Sequence, residues 1–278
     1  MKQNLTEHNT LSTNALKICA IIAMVCDHIP YLFGNWQEVY YTHPWVWMHA
    51  AGRVTAPIFF YLLAIGYRRT RNADRYTLRL LVFALISYVP YIWYFKSASL
   101  DPDGLLGLSQ ANFLQLNVIF TMLFGLLMLR AIHEVRNKAL KVVLIVLCLA
   151  GGYWCDYGLY GLAMILICDL VRGSRRDLIL GMGAAMMIYL YMRTSGWFPG
   201  GVSPFESLEK LVNTEWMVGS LTVLLCQLIP LALIAKHRAW AAGFPPEAKP
   251  GFWAKWGFYI FYPAHIIVFL LISRYISG

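Results

Sequence analysis

The chain has 278 residues, 59% of them hydrophobic and 13% charged, about half of the ~25% charge usual in a soluble domain. Its mean hydropathy is +0.56, and the apolar residues gather in blocks near the ~20 residues that a helix needs to cross a bilayer. An ordinary soluble domain, a disordered chain and a disulfide scaffold are thereby excluded, as is a porin-type barrel, whose strands alternate apolar and polar residues. The expected fold is all-α: a polytopic transmembrane helical bundle in which residues 1–278 form a single integral-membrane domain.

In chain order, residues 1–14 are polar, and the first apolar run holds Asp27-His28 with no small-residue cleavage site after it. That pattern predicts a retained first span, not a signal peptide. About nine spans follow from length and hydropathy, over 15–33, 45–67, 76–95, 113–129, 140–154, 157–171, 178–191, 216–235 and 253–275. Loop charge alternates along them. Arg68, Arg69, Arg71 and Arg75 follow the second span, and Arg130, Arg136, Lys138 and Lys141 the fourth. Arg172, Arg175 and Arg176 follow the sixth, and Lys236, Arg238, Lys249 and Lys255 the eighth. The loops between, 34–44, 96–112 and 193–215, are poor in basic residues. The positive-inside rule then puts the N-terminus in the cytoplasm and the C-terminus outside. It also accounts for the net charge of +9 without nucleic acid as a partner. The six cysteines lie in or beside apolar blocks and form no CxxC pair, so neither a metal site nor a disulfide framework is expected.

Charges inside a membrane are costly and each needs a reason. Span one carries Asp27-His28 in its outer half, with Lys17, Met24 and His28 on one helical face. Span two carries Gly52-Arg53 followed by Pro57, which frees a carbonyl one turn back and is expected to kink the helix there. Span nine carries Tyr262-Pro263-Ala264-His265. Span four opens with Asn112, Gln115, Asn117 and Thr121, and Asp156 lies between spans five and six among Tyr153, Tyr157 and Tyr160.

Structural explanations stand beside functional ones. Asp27 and Arg53 can be an ion pair that neutralises both charges between packed helices. His265 can be a packing histidine bonded to a carbonyl, and Asp156 a solvated turn residue. Trp36, Trp45, Trp47, Trp93, Trp197 and Trp216 suit an interfacial belt. Arg68-Arg69-Thr70-Arg71 suits a cytoplasmic flank, or a site for an anionic ligand. The combination of a carboxylate, two imidazoles and a guanidinium at similar depth favours chemistry. Imidazole is the usual base near neutral pH, a carboxylate fixes its tautomer, and arginine stabilises an oxyanion. Without a Ser-His-Asp, HExxH or glycine-rich phosphate motif, this set fits direct attack of an acceptor on an activated acyl donor better than hydrolysis through serine.

Several runs resemble the TraX family, the F-pilin acetylases of conjugative plasmids. They are Leu16-Lys17-Ile18-Cys19-Ala20 through Met24-Val25-Cys26-Asp27-His28, and Gly52-Arg53-Val54-Thr55-Ala56-Pro57-Ile58-Phe59. Gly66, Thr70, Tyr76, Arg79-Leu80 and Ile86-Ser87-Tyr88-Val89-Pro90-Tyr91 follow. Leu116-Asn117-Val118-Ile119-Phe120-Thr121, Asp156-Tyr157-Gly158-Leu159-Tyr160-Gly161 and Phe258-Tyr259-Ile260-Phe261-Tyr262-Pro263-Ala264-His265 complete the set. The resemblance reaches from the first span to the last, with no match in 193–215. More distantly, the pattern on the first two spans is similar to membrane O-acyltransferases of envelope glycans.

The resemblance implies a multi-pass enzyme of the bacterial inner membrane that moves an acetyl group from acetyl-CoA to the N-terminal amine of the processed pilin subunit. Pilin and membrane lipid are then the partners. On the physical reading, His28 oriented by Asp27 is the first candidate base and His265 the second, with Arg53 stabilising the oxyanion or anchoring the site. Asn117, Thr121, Asp156 and Tyr262 are candidates for contacting the substrate. Arg68, Arg69, Arg71, Arg75 and Arg79 are candidates for the ADP part of the donor. Rival readings are head-to-tail joining of the pilin ends, O-acylation of an envelope glycan, a proton-coupled transporter using Asp27, His28 and His265, and a non-catalytic pilin chaperone. The lack of an internal repeat counts against the transporter.

Overall fold

A computed structural model describes residues 11–33, 45–96, 100, 105–109, 113–171, 174–194, 226–237 and 251–277. Residues 34–44 and 195–225, with Trp36, Trp197 and Trp216 and most of the loop 193–215, lie outside the described residues, as do Asn112, Arg172, Arg238 and Lys249. Among the described residues the chain is helical, with two isolated β-bridges, Leu11 to His237 and Leu116 to Cys155.

Local sequence sets the helix starts. Helix α1 (Thr13–His28) begins after Ser12, whose hydroxyl accepts from the Ala15 N–H at 3.1 Å, and runs into a 3-10 turn at Ile29–Leu32 that contains Pro30. Helix α2 (Trp45–Gly52) and α3 (Thr55–Arg69) are separated by a break at Arg53 and Val54, four and three residues before Pro57. Asn72, Asn117 and Asn137 cap α4 (Ala73–Phe95), α5 (Val118–Glu134) and α6 (Lys138–Tyr153), each side chain accepting from a first-turn N–H, the usual answer to the orphan donors of a helix start. Then come α7 (Gly158–Leu170), α8 (Arg175–Thr194), α9 (Cys226–Ala235) and α10 (Phe252–Ser277).

Each of the nine expected spans thus has a helix, but length divides them. Four stretches are long and apolar enough to cross a membrane: Thr13–Leu32, Trp47–Arg69, Ala73–Phe95 and Lys255–Ile276. Helix α5 starts five residues after its expected beginning because Asn117 is its cap, while α7 has 13 residues and α9 has 10. Among the described residues each expected span is thus matched by helix, with α2 and α3 sharing the second, and four of these stretches have full crossing length. Helix α6 turns Leu140, Val142, Val143, Val146, Leu147 and Leu149 outward, the apolar outer face expected of a helix against hydrocarbon.

The chain, expected to form one domain, groups into two compact units. The first comprises residues 1–59 and 171–246. In it the start of α1 meets the end of α9, since the Leu11 N–H donates to the Lys236 carbonyl at 2.8 Å and Thr13 lies 3.2 Å from His237. Arg175 at the start of α8 donates to the Ala235 carbonyl at 2.9 Å. The second unit comprises residues 60–170 and 247–278. Asn117 donates to the Ala84 carbonyl and Arg130 to Thr77, so α5 runs antiparallel to α4. Phe83 meets Trp256 and Tyr259 while Tyr94 meets Phe269, so α10 runs parallel to α4. Gly125 allows the close approach of α5 to α7, where any side chain would overlap Ile165.

Candidate active site

In the first unit Asp27, near the end of α1, is bound from α2 and from the break that follows it. The His49 Nδ1 lies 2.8 Å from the Asp27 Oδ1, and the Arg53 guanidinium donates to both carboxylate oxygens at 3.1 and 3.3 Å. Arg53 Nε also donates to the His49 carbonyl at 3.4 Å. Gly52 makes the approach possible, because a side chain there would collide with the Asp27 carboxylate. Thr55 ties the start of α3 to α1 by donating to the Ala20 carbonyl at 3.0 Å. The Tyr31 ring meets His49 edge-on at 5.2 Å, and the imidazole is 2% exposed.

This arrangement fixes a tautomer. A carboxylate on Nδ1 holds the proton there and leaves the basic lone pair of the ring on Nε2, while the same carboxylate stabilises imidazolium. Charge-assisted bonds from Arg53 satisfy the second carboxylate oxygen. Asp27 and Arg53 therefore do pair as the sequence allowed, and the imidazole bonded to them is His49. His28 is the last residue of α1, next to this cluster in sequence. His49 received no role from the sequence, although its position one turn before Arg53 was a usable signal.

The second unit gathers the four expected substrate contacts at one end. Asn117, fully buried, accepts from the Ile119 N–H and donates to the Ala84 carbonyl, both at 3.0 Å, so its amide serves the fold. Thr121 is buried with its methyl against Gly161. The Asp156 N–H donates to the Leu116 carbonyl at 2.8 Å and its residue is exposed, as a turn position would be. Tyr262 is buried and lies in the field of Asp156 and Tyr157. On α10, His265 Nδ1 donates to the Phe261 carbonyl at 2.8 Å, and the ring stacks on Phe261 at 4.9 Å.

At the opposite end of this unit lies a second cluster that the sequence did not suggest. Asp169, fully buried near the end of α7, receives Arg68 Nε at 3.1 Å and His133 Nε2 at 2.5 Å. Arg68 also donates to the Cys168 carbonyl. Tyr67 donates to Glu134 at 3.1 Å, and Arg130 bonds both Glu134 and Asp74. A lone carboxylate inside the apolar run Ile167-Cys168-Asp169-Leu170 was the signal that went unread. Of the arginines proposed for the donor, Arg68 is thus engaged by Asp169. Arg69, Arg71 and Arg75 are exposed, and Arg79 is half-buried among aromatic rings. Among the described residues no group of three or more His, Cys, Asp or Glu side chains is placed to hold a metal ion.

Comparison with known proteins agrees with the sequence pattern. The chain is 25% identical over 254 residues to the probable fimbrial assembly protein FimC, serogroup H1, of Dichelobacter nodosus, covering 90% of this chain and 91% of that one. No solved structure matches. The family described as TraX protein matches residues 12–273, and the chain belongs to that family.

Proposed function

We propose that this chain is a multi-pass protein of the bacterial inner membrane that acetylates the N-terminal amine of a processed pilin subunit, with acetyl-CoA as donor. The observation that carries the reading is the Asp27–His49–Arg53 cluster beside the break between α2 and α3. Membership of the TraX family and the likeness to a fimbrial assembly protein support a role in building pili.

An α-amine of pKa about 8 is largely ammonium at neutral pH and must lose a proton before its nitrogen can attack. His49, with Nδ1 held by Asp27, takes that proton on Nε2, and Asp27 stabilises the resulting imidazolium. Arg53 locks the carboxylate and offers guanidinium donors to developing negative charge. His28 and His265 are the alternative bases. Acetyl-CoA, when bound, supplies the acetyl group as an activated thioester. Arg69, Arg71, Arg75 and Arg79 suit its phosphates, whereas Arg68 is committed to Asp169.

Nine spans with a cytoplasmic N-terminus are part of the proposal. In support, α3, α5 and α7 run one way and α4, α6 and α10 the other, which gathers Arg68, Arg130, Lys141 and Lys255 at one end of the second unit. The first unit likewise joins Arg175 and Lys236 to the start of α1.

The test is the intact mass of mature pilin from cells with the wild-type protein, without it, and with His49→Ala or His28→Ala. A gain of about 42 Da that needs the protein and His49 supports the proposal. A loss of about 18 Da would mean joined chain ends. No change in mass would refute pilin acetylation, and a gain lost only with His28→Ala would move the base to His28.

A further inference from the structure

The beginnings of α4 and α10 in the second unit hold two cations: Arg79, which the reading above gives to the donor's phosphates, and Lys255, which that reading leaves without a role. Arg79 lies over the rings of Tyr76, Trp256 and Tyr259, with its guanidinium carbon 5.4, 5.5 and 5.9 Å from their centroids. Lys255 lies over the same Trp256 ring at 5.6 Å. The Arg79 Nε is buried without an acceptor. Among the described residues no carboxylate pairs with Arg79 or Lys255. The acid of this helix start, Asp74, is bonded to Arg130.

Two positive charges over one indole repel each other, and Lys255, in the first turn of α10, also sits where the helix dipole is unfavourable to it. Ring faces support each cation weakly but cancel no charge. An anion would relieve every one of these costs together. A phosphate ester fits best, because its several oxygens can accept from the planar guanidinium fork and from the lysine at once. The height of the group agrees, since both helices are of membrane-crossing length and the group lies at their ends. Phe252 and Trp253 beside it are 61% and 74% exposed, as aromatic side chains are at a headgroup layer.

We infer that Arg79 and Lys255, arranged on Trp256, form a binding site for a phosphate ester. Its source is either the headgroup of an anionic lipid or the phosphates of a soluble nucleotide-bearing compound. The soluble source rests on the donor reading above, and because binding is measured without pilin or acyl transfer, its failure and the failure of acetylation are distinguishable.

The experiment uses the full-length protein in zwitterionic detergent and in nanodiscs, with Arg79→Gln, Lys255→Gln and a surface control, Lys138→Gln. Pyrophosphate and ADP are titrated calorimetrically in detergent, and bound phosphatidylglycerol is counted by native mass spectrometry after release from nanodiscs. We expect at least one probe to bind the wild type and Lys138→Gln alike, and to bind each site variant about tenfold more weakly. Loss confined to pyrophosphate and ADP identifies the soluble source, and loss confined to phosphatidylglycerol identifies the lipid. Should Arg79→Gln fail to fold by circular dichroism, the exposed Lys255→Gln carries the test. Equal binding of both probes by wild type and Lys255→Gln, or binding of neither probe, overturns the site.

Discussion

The molecule contains two clusters of the same composition, aspartate with histidine and arginine, built in opposite ways. In the first unit the imidazole of His49 is 2% exposed while Asp27 and Arg53 are 14% and 17% exposed. In the second unit Asp169 is fully buried and His133 and Arg68 are 32% and 27% exposed. Burying the carboxylate beneath a guanidinium and an imidazole makes a lock, because removing Arg68 strands a buried charge. Burying the imidazole against a carboxylate and a guanidinium makes a base of fixed tautomer. The same three residue types therefore serve the fold in one place and, in the proposed mechanism, proton transfer in the other.

The comparison can be broken by substitution. His49→Ala should have the largest effect on activity, slowing pilin modification by about 10²- to 10⁴-fold, the usual share of a general base, with the protein level in membranes unchanged. His133→Ala should leave the rate per molecule near wild type, and a comparable loss there would erase the distinction. Asp169→Asn should instead lower stability by about 3–5 kcal/mol, the cost of breaking a buried pair, seen as earlier thermal unfolding in detergent. Its activity per folded molecule should persist.

Smaller changes sharpen the same contrast. Gly52→Ala pushes Asp27 away and should cost about 1–3 kcal/mol of overpacking, together with a fall in turnover. A stable but inactive Gly52→Ala would show that the carboxylate's position, not mere folding, limits the reaction. Glu134→Gln removes the exposed partner of Arg130 and should shift stability by less than about 1 kcal/mol. A larger shift would mean that the Tyr67, Arg130 and Asp74 network acts as one unit with Asp169.

The fold was legible where apolar blocks and capping residues coincide. Asn72, Asn117 and Asn137 mark starts that hydropathy alone misplaces, as with α5, whose apolar run begins before its cap. The Asp27–Arg53 pair was legible because each charge interrupts an apolar run and Gly52 and Pro57 flank the arginine. His49 was harder to see, since a histidine within Trp45-Val46-Trp47-Met48-His49 looks like interfacial sequence until the i, i+4 relation to Arg53 is weighed. The second cluster was illegible for a different reason. Arg68 and His133 stand at span ends where charge is expected, and only helix packing joins them to Asp169, the member that interrupts an apolar run.

The order of those positions has a consequence for how the chain enters the bilayer. Asp169 is the last member of its cluster to be synthesised, and it stands on a helix of 13 residues, so a bare charge there is costly to any insertion of the segment. By then the helices carrying Arg68 and His133 have already left the ribosome. The segment that carries the buried acid is preceded by the groups that pair with it. The aspartate of α1 has no such help, for His49 and Arg53 follow it, and it must wait near the lipid surface until the next hairpin arrives.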